Sequence, residues 1–337
     1  MEDVAAVIAG SKKMRWDLRA RPHYEVWYTT VSQLSTGAGF WIRYAIVAPR
    51  SGPNRTEVWF TSFIPDLTEG NVAVAQEYPI EYFAASAEPF SVRMGPSLLE
   101  AGRMTGMLDA AGLPVTWDLV YQPVTEPLEF LPAPLYRTRW VRTKLLVPHP
   151  FLMIGGKIQV GSRTFILNGD PGQQGHVWGS RHAEEWTWFH CSAFVDDRGE
   201  PVPGYVTGAT AQQRFAGLLL PPLGFGHLVW KEKHLQLRPE TRWEKRWEGP
   251  WRWSGRLPDE DVSVTLTLPW PEMVVAEYAD PPGGAVFCHH TERAGCRLEL
   301  RAPRQAPRVF HAVASAHLEI GSRRADARAP RRAVRQR

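Results

Sequence analysis

Period-two alternation of apolar and polar side chains constrains this chain more than any other feature. Val262, Val264, Leu266 and Leu268 alternate with Ser263, Thr265 and Thr267, and Leu298 and Leu300 alternate with Arg297, Glu299 and Arg301. Successive side chains of a strand point to opposite faces, so the pattern suits a sheet with one aliphatic face rather than a helix, whose faces repeat every 3.6 residues. The same pattern predicts strands over 24–30, 40–47, 56–63, 72–76, 116–121, 157–160, 164–167, 186–194, 225–229, 234–237 and 313–320. Turn-forming Gly, Pro, Asn, Asp and Ser fill the gaps at 51–54, 66–70, 196–199 and 281–284. Many short strands at close spacing predict barrels or sandwiches, not alternating βα units. Two helical exceptions are predicted, one over 1–19, able to cap an open end, and one over 96–101.

A chain of 337 residues fits about two domains, and 15 Trp with 29 Pro and 28 Gly agree with short strands, turns and broad aromatic surfaces. A Pro-rich stretch at 131–150 and a Gly-rich stretch at 155–179 bracket the middle, which places a boundary near residue 180. The formal net charge of +4 does not describe the body: residues 323–337 hold seven Arg and one Asp, a balance of +6, so the remainder carries 4 − 6 = −2. That distribution argues against nucleic-acid binding and predicts a basic disordered tail, able to make peripheral contact with a membrane surface. Three cysteines give no disulfide framework, and the apolar run at 4–9 is too short for a signal-peptide core or a membrane span, so a reducing, cytoplasmic setting is expected.

Chemistry concentrates between Asn168 and Gly199. The stretch holds Asp170, His176, Trp178, Glu184, Glu185, Trp186, Trp188 and His190. On one strand Trp186, Trp188 and His190 share a face. Indole faces can stabilise a carbocation without trapping it, and a nearby desolvated acid can make one by protonating an alkene or electron-rich ring. The catalytic candidates are therefore His176, Glu184 and Asp170, with Trp178, Trp186, Trp188 and His190 as the ligand wall. The same residues also suit plain core, where Trp at alternate strand positions and hydrogen-bonded His are common. Upstream, Glu25 shares a strand face with Trp27, and Trp41 with Arg43, so Trp27, Trp41 and Arg43 join the ligand-binding candidates and a Glu25–Arg43 ion pair is expected. The spacing of His176, His182, His190 and Cys191 fits no familiar zinc pattern, so no metal is expected. There is no Gly-x-Gly-x-x-Gly, Walker or Gly-x-Ser-x-Gly motif.

The segment Gly175-His176-Val177-Trp178-Gly179 followed by Trp186-Thr187-Trp188 resembles the Asp-His-x-Trp-Gly and Trp-x-Trp signature of the double-lipocalin, calycin-like family of carotenoid 1,2-hydratases, tocopherol cyclases, AttH-like proteins and related pericyclases. Tyr24-Glu25-Val26-Trp27-Tyr28 and the closing Ala316-His317-Leu318-Glu319-Ile320-Gly321 resemble its opening and final strands. The resemblance implies an all-β fold of two lipocalin-like antiparallel barrels, here 15–180 and 181–322, ahead of the tail at 323–337. It implies an apolar pocket, the signature near the junction, no organic cofactor, and a hydrophobic isoprenoid- or polyketide-like ligand. Where the family carries an acid before the signature His, this chain has Gly175, so an acid role at that position is lost. Two functions follow: a hydratase, cyclase or isomerase, or a non-catalytic carrier of the same kind of ligand.

Overall fold

The alternating segments fold as strands and assemble into two large, mainly antiparallel sheets, each curled into a barrel. The structure, a computed structural model, describes residues 10–65, 71–110, 112–138, 140–231, 233–329 and 331–336. In the first sheet the neighbours run Val72–Pro79, Arg55–Phe63, Ala38–Ala48, His23–Gln33, Arg163–Gly179, Thr143–Val160, Leu113–Pro123 and Arg103–Ala110, then on through shorter strands. The opening strand thus pairs with both its successor and the last strand of its own domain, with Trp27 opposite Tyr44 and His176. In the second sheet Arg308–Ser322 pairs with Glu185–Cys191 on one side and with Ala285–Arg301 on the other, which closes a ring.

Side chains fill both barrels. Trp27, Phe40, Phe60 and Trp117 pack inside the first, and Phe189, Leu228, Trp253 and Leu298 inside the second. Small barrels are just wide enough for side chains to fill, as these side chains do. A third apolar cluster lies between them, where Tyr24, Val26, Tyr28, Trp41 and Trp59 on the outside of the first barrel meet Trp188, Ala276, Tyr278 and Cys288 on the outside of the second. Strands His23–Gln33 and Ala38–Ala48 are consequently buried along their whole length, on both faces. Backbones approach closely at this seam: a Cβ at Gly39 would overlap Glu292.

Several expectations need correction. Residues 97–100 are a strand, Ser97–Glu100, paired with Phe90–Met94 and Arg103–Ala110, because hairpin pairing and burial of Leu99 outweigh local helix preference. Of the helix expected over 1–19, residues 1–9 lie outside the described residues; 10–12 are helical and 14–20 are irregular. That segment does cover the mouth of the first barrel, where Lys12 O accepts a hydrogen bond from Trp27 Nε1 (2.9 Å). The second half of the Gly-rich stretch runs within the strand Arg163–Gly179. The turn expected at 66–70 lies outside the described residues.

The basic tail is not a free appendage. Arg323 binds Asp280 (2.6 Å) and Glu184 (3.3 Å), and Arg328 lies 4.1 Å over the Trp270 ring. Arg331–Arg332 pairs in parallel with Val274–Ala279 of the second barrel, and Val334–Gln336 with Val72–Pro79 of the first, so the segment straps the two sheets together. Its composition reads as solvated because the carboxylates, indole and sheet edges that hold it come from distant chain. The three cysteines are buried free thiols, and among the described residues no helix is long and apolar enough to cross a membrane.

Lys12 gives a test of the barrel mouth. Its ammonium donates to Tyr121 Oη (3.2 Å) and lies over the Phe90 and Tyr121 rings. Burial pushes its pKa from 10.5 down to about 7. Between those values the unfolded chain binds the extra proton, so stability rises with pH, by up to about 1.4 kcal/mol per pH unit. Denaturation of wild type and Lys12→Met from pH 7.5 to 9.5 should show the variant lacking that increment; parallel curves would refute the buried placement.

Candidate functional site

The apolar cavity of this protein lies in the seam between the barrels. It has a volume of about 420 Å³ and is walled by Tyr24, Val26 and Tyr28 from one strand, Trp41 and Arg43 from the next, and Val177 from the signature strand. The second barrel contributes Trp186, Trp188, Ala209, Ala211, Tyr278 and Glu319. Strand parity explains the set: residues 24, 26 and 28 point outward while Glu25 and Trp27 point into the barrel. Small Ala209 and Ala211 opposite the large rings leave the space. Its size falls within the usual range for small-molecule sites, and its wall is aromatic and aliphatic with a few polar groups.

Those few groups include a carboxyl, Glu319, and an imidazole, His182. Glu319 is enclosed by protein yet keeps accessible surface on a cavity-lining residue, and accepts a hydrogen bond from Trp186 Nε1 (3.2 Å). Burial pushes its carboxyl above the ordinary range, against smaller opposing effects from His290 and the Trp186 bond. His182 stacks on Tyr24 with centroids 4.0 Å apart and on Trp186 at 6.4 Å, so Trp186 touches both groups. Its Nδ1 is 3.1 Å from Asp280 Oδ1. Burial pushes the His182 pKa down, so the ring is neutral; Asp280, which also accepts from Arg323 and is held below its ordinary pKa by His182 and Arg323 despite burial, can only accept. Nδ1 therefore carries the proton and Nε2 is left as an acceptor. Arg43 stacks over Tyr278 (4.2 Å) and is 3.7 Å from Glu57. The Trp188 Nε1 is buried and has no acceptor among the described residues.

The structure divides the residues singled out in the sequence. Trp186, Trp188, Trp41 and Arg43 line the cavity. His176 does not: it points into the first barrel, stacks on Trp27 (5.0 Å), and sits 2.8 Å from both Ser11 O and Glu25 Oε1. Held between these two partners inside the barrel, His176 is not part of the cavity wall, and its catalytic assignment is withdrawn. Trp27 is core. Trp178 stacks on Tyr136 and under Arg15, away from the cavity wall. Asp170 accepts from the backbone N–H groups of Leu34 and Asn168, a structural role far down the strand. Glu184 is bound by Arg181 (2.6 Å) and Arg323 and is not a cavity group. His190 shares the face of Trp186 and Trp188 but stacks on His317 (5.9 Å) below the cavity. The expected Glu25–Arg43 pair is absent because the two residues lie on opposite faces of the sheet: Arg43 is opposite Tyr28, and Glu25 binds His176 and His23.

Sequence reasoning missed Glu319, His182, Tyr278 and Tyr28. The available signal for Glu319 was a carboxylate amid the alternation of the last strand. Tyr28 also explains Gly175: a Cβ at that position would overlap the Tyr28 ring and hydroxyl. The tyrosine fills the space into which any side chain at position 175 would project.

Comparison with known proteins agrees with this architecture. The family model described as tocopherol cyclase-like matches residues 152–322. An uncharacterized protein of Mycobacterium tuberculosis is 28% identical over 306 residues, covering 89% of this chain and 86% of its own. The AttH-type protein of Nitrosomonas europaea superposes with a TM-score of 0.51 at 12% identity, covering 91% of this chain and 95% of that one. Kievitone hydratase of Nectria haematococca gives 0.48 at 10% identity and 88% coverage of each chain.

Separating His176 from the cavity is testable. Burial alone would raise the Glu25 pKa, but hydrogen bonds from His176, His23 and the Arg15 N–H hold it at about 2. That stability is present above pH 4.5 and is lost as pH falls toward 2. His176→Ala leaves the carboxylate buried without its main partner and should cost about 3–5 kcal/mol in urea denaturation at pH 7. Binding of the neutral probe N-phenylnaphthylamine, measured below the unfolding transition, should be unchanged; lost binding with stability intact would return His176 to the site.

Proposed function

The chain belongs to the tocopherol cyclase-like family, and from that premise we propose that it is an enzyme that hydrates, cyclises or isomerises a hydrophobic, isoprenoid- or polyketide-like molecule in the seam cavity by acid–base chemistry of its own side chains. One observation carries this reading: the cavity's carboxyl group, Glu319, has its pKa pushed up by burial and stands among indole and phenol rings. An acid needs its proton near neutral pH, and desolvation favours that neutral form.

In the reaction Glu319 gives its proton to one carbon of an electron-rich double bond. A C–H bond forms, the π pair is consumed, and the neighbouring carbon becomes cationic. Trp186, Trp188, Tyr28 and Tyr278 present ring faces and edges to it, which lowers the cation's energy without supplying a strong nucleophile. His182, aligned by Asp280, then takes a proton at Nε2. In hydration that proton leaves a water whose oxygen bonds to the cation; in isomerisation or cyclisation it leaves an adjacent carbon or hydroxyl. Protonated His182 and ionised Glu319 exchange the proton back with solvent to reset the site. Arg43, already engaged by Glu57 and Tyr278, positions the Tyr278 face.

The test is deuterium uptake. Incubated in D2O with a panel of prenylated phenols and polyenes, wild-type protein should label at least one carbon, detected by mass spectrometry. Glu319→Gln, which keeps the shape and the Trp186 bond, should reduce that rate by roughly 100-fold or more, the ordinary contribution of a general acid. The wild-type rate should fall as pH rises through the elevated Glu319 pKa and fall again in acid as His182 protonates. Because Glu319 is more basic folded than unfolded, its ionisation destabilises the fold as pH rises above 4.5, so Glu319→Gln should be at least as stable at pH 7. Wild-type turnover undiminished in Glu319→Gln refutes the assignment, and ligand binding with no turnover of any panel member favours the carrier.

A further inference from the structure

A second cavity, of about 560 Å³, opens beside the first and has the opposite chemistry. The strand Thr143–Val160 starts at the lip of the first barrel, and parity splits its first residues: Thr143 and Leu145 face the seam, whereas Lys144, with Arg142 before it, faces the other side. There they meet Arg50, Arg137 and Arg181, and no Asp or Glu lines this recess. Arg181 is tied to Glu184 (2.6 Å). Among the described residues, Arg50, Arg137, Arg142 and Lys144 make no salt bridge with a carboxylate. Lys144 is half-buried, and burial pushes its pKa down.

Gathering cations without counter-charges raises the free energy of the empty site, and an anion offsets it. The two cavities are neighbours that share wall residues: Thr138 and Val141 line both. We propose that the recess is the head-group site for the seam ligand, and that this ligand is a hydrocarbon chain ending in a phosphate or diphosphate. The chain lies in the seam and the head crosses the lip at Thr138 and Val141. A carboxylate would neutralise only one of these charges. Guanidinium forks on Arg50, Arg137 and Arg142 match phosphate oxygens in pairs, and Lys144 adds a point charge. This inference rests on the seam being the ligand cavity, and not on Glu319 being the acid.

Calorimetric titration of the full chain with farnesyl diphosphate, farnesol and inorganic pyrophosphate tests it. Wild type should bind farnesyl diphosphate at least about 30-fold tighter than either of the others, through charge-assisted bonds added to the apolar contacts. That preference should weaken with added salt. Arg142→Ala/Lys144→Ala should bind farnesyl diphosphate and farnesol alike, with farnesol unchanged. The single variant Arg137→Ala, at an exposed helix end, should show a smaller loss in the same direction. Equal affinity of wild type for farnesyl diphosphate and farnesol overturns the head-group site, as does an undiminished preference in the double variant. Pyrophosphate bound as tightly as farnesyl diphosphate, with farnesol bound, overturns the continuity of the two cavities. No binding of farnesol, with farnesyl diphosphate no better than pyrophosphate, overturns the seam as the ligand cavity as well.

Discussion

Everything distinctive in this protein follows from two barrels packing on their outer faces. The interiors are already filled by their own side chains, so this contact is a third apolar layer, built from the side chains that each strand points away from its barrel. Burial on both faces removes water from every polar group on those outward positions, and each must find a partner or carry a shifted charge. Ser32 of the first barrel donates to Ser315 O of the second (3.0 Å) and lies 3.3 Å from His317 Nε2; His317 binds Glu292 in turn. Arg293 reaches across to Gly37 O (2.9 Å). These contacts hold the register that keeps the cavity open.

The same layer separates two carboxyl groups that a sequence would treat alike. Burial would raise Glu292, but His317 and His290 face it and hold it below its ordinary range. Glu319 stands opposite His290 on the neighbouring strand, is hydrogen-bonded by the Trp186 indole and the Cys288 thiol, and feels Glu292 as a like charge; burial wins and its pKa rises. One carboxylate is held as an anion of the seam, and the other, at the cavity, is pushed toward its protonated form. Pairs of titratable groups pushed apart by their surroundings are what acid–base sites are made of.

The face-sharing sets were legible in the chain: Trp186 with Trp188 and His190, Trp41 with Arg43, and Glu25 with Trp27 all lie as alternation predicts. Which set faces a barrel interior and which faces the seam was not legible, because both faces of these strands are apolar enough to be buried. That ambiguity put His176 among the catalytic candidates and Trp27 among the ligand-binding ones, and paired Glu25 with Arg43. The cavity's working groups were hidden for a related reason. Glu319, His182 and Tyr278 are each single polar residues in different segments, and nothing local marks them until the barrels close and the seam forms.

Parity along each strand, turn residues between strands and the aromatic signature were enough to establish an all-β chain of this family, since they depend on short-range geometry that every strand obeys. Desolvation, by contrast, belongs to no single segment: it arises where two outer faces meet. Only that meeting raised the Glu319 pKa, aligned His182 on Asp280, gave the tail's Arg323 a carboxylate to hold, and set a basic recess beside an apolar cavity.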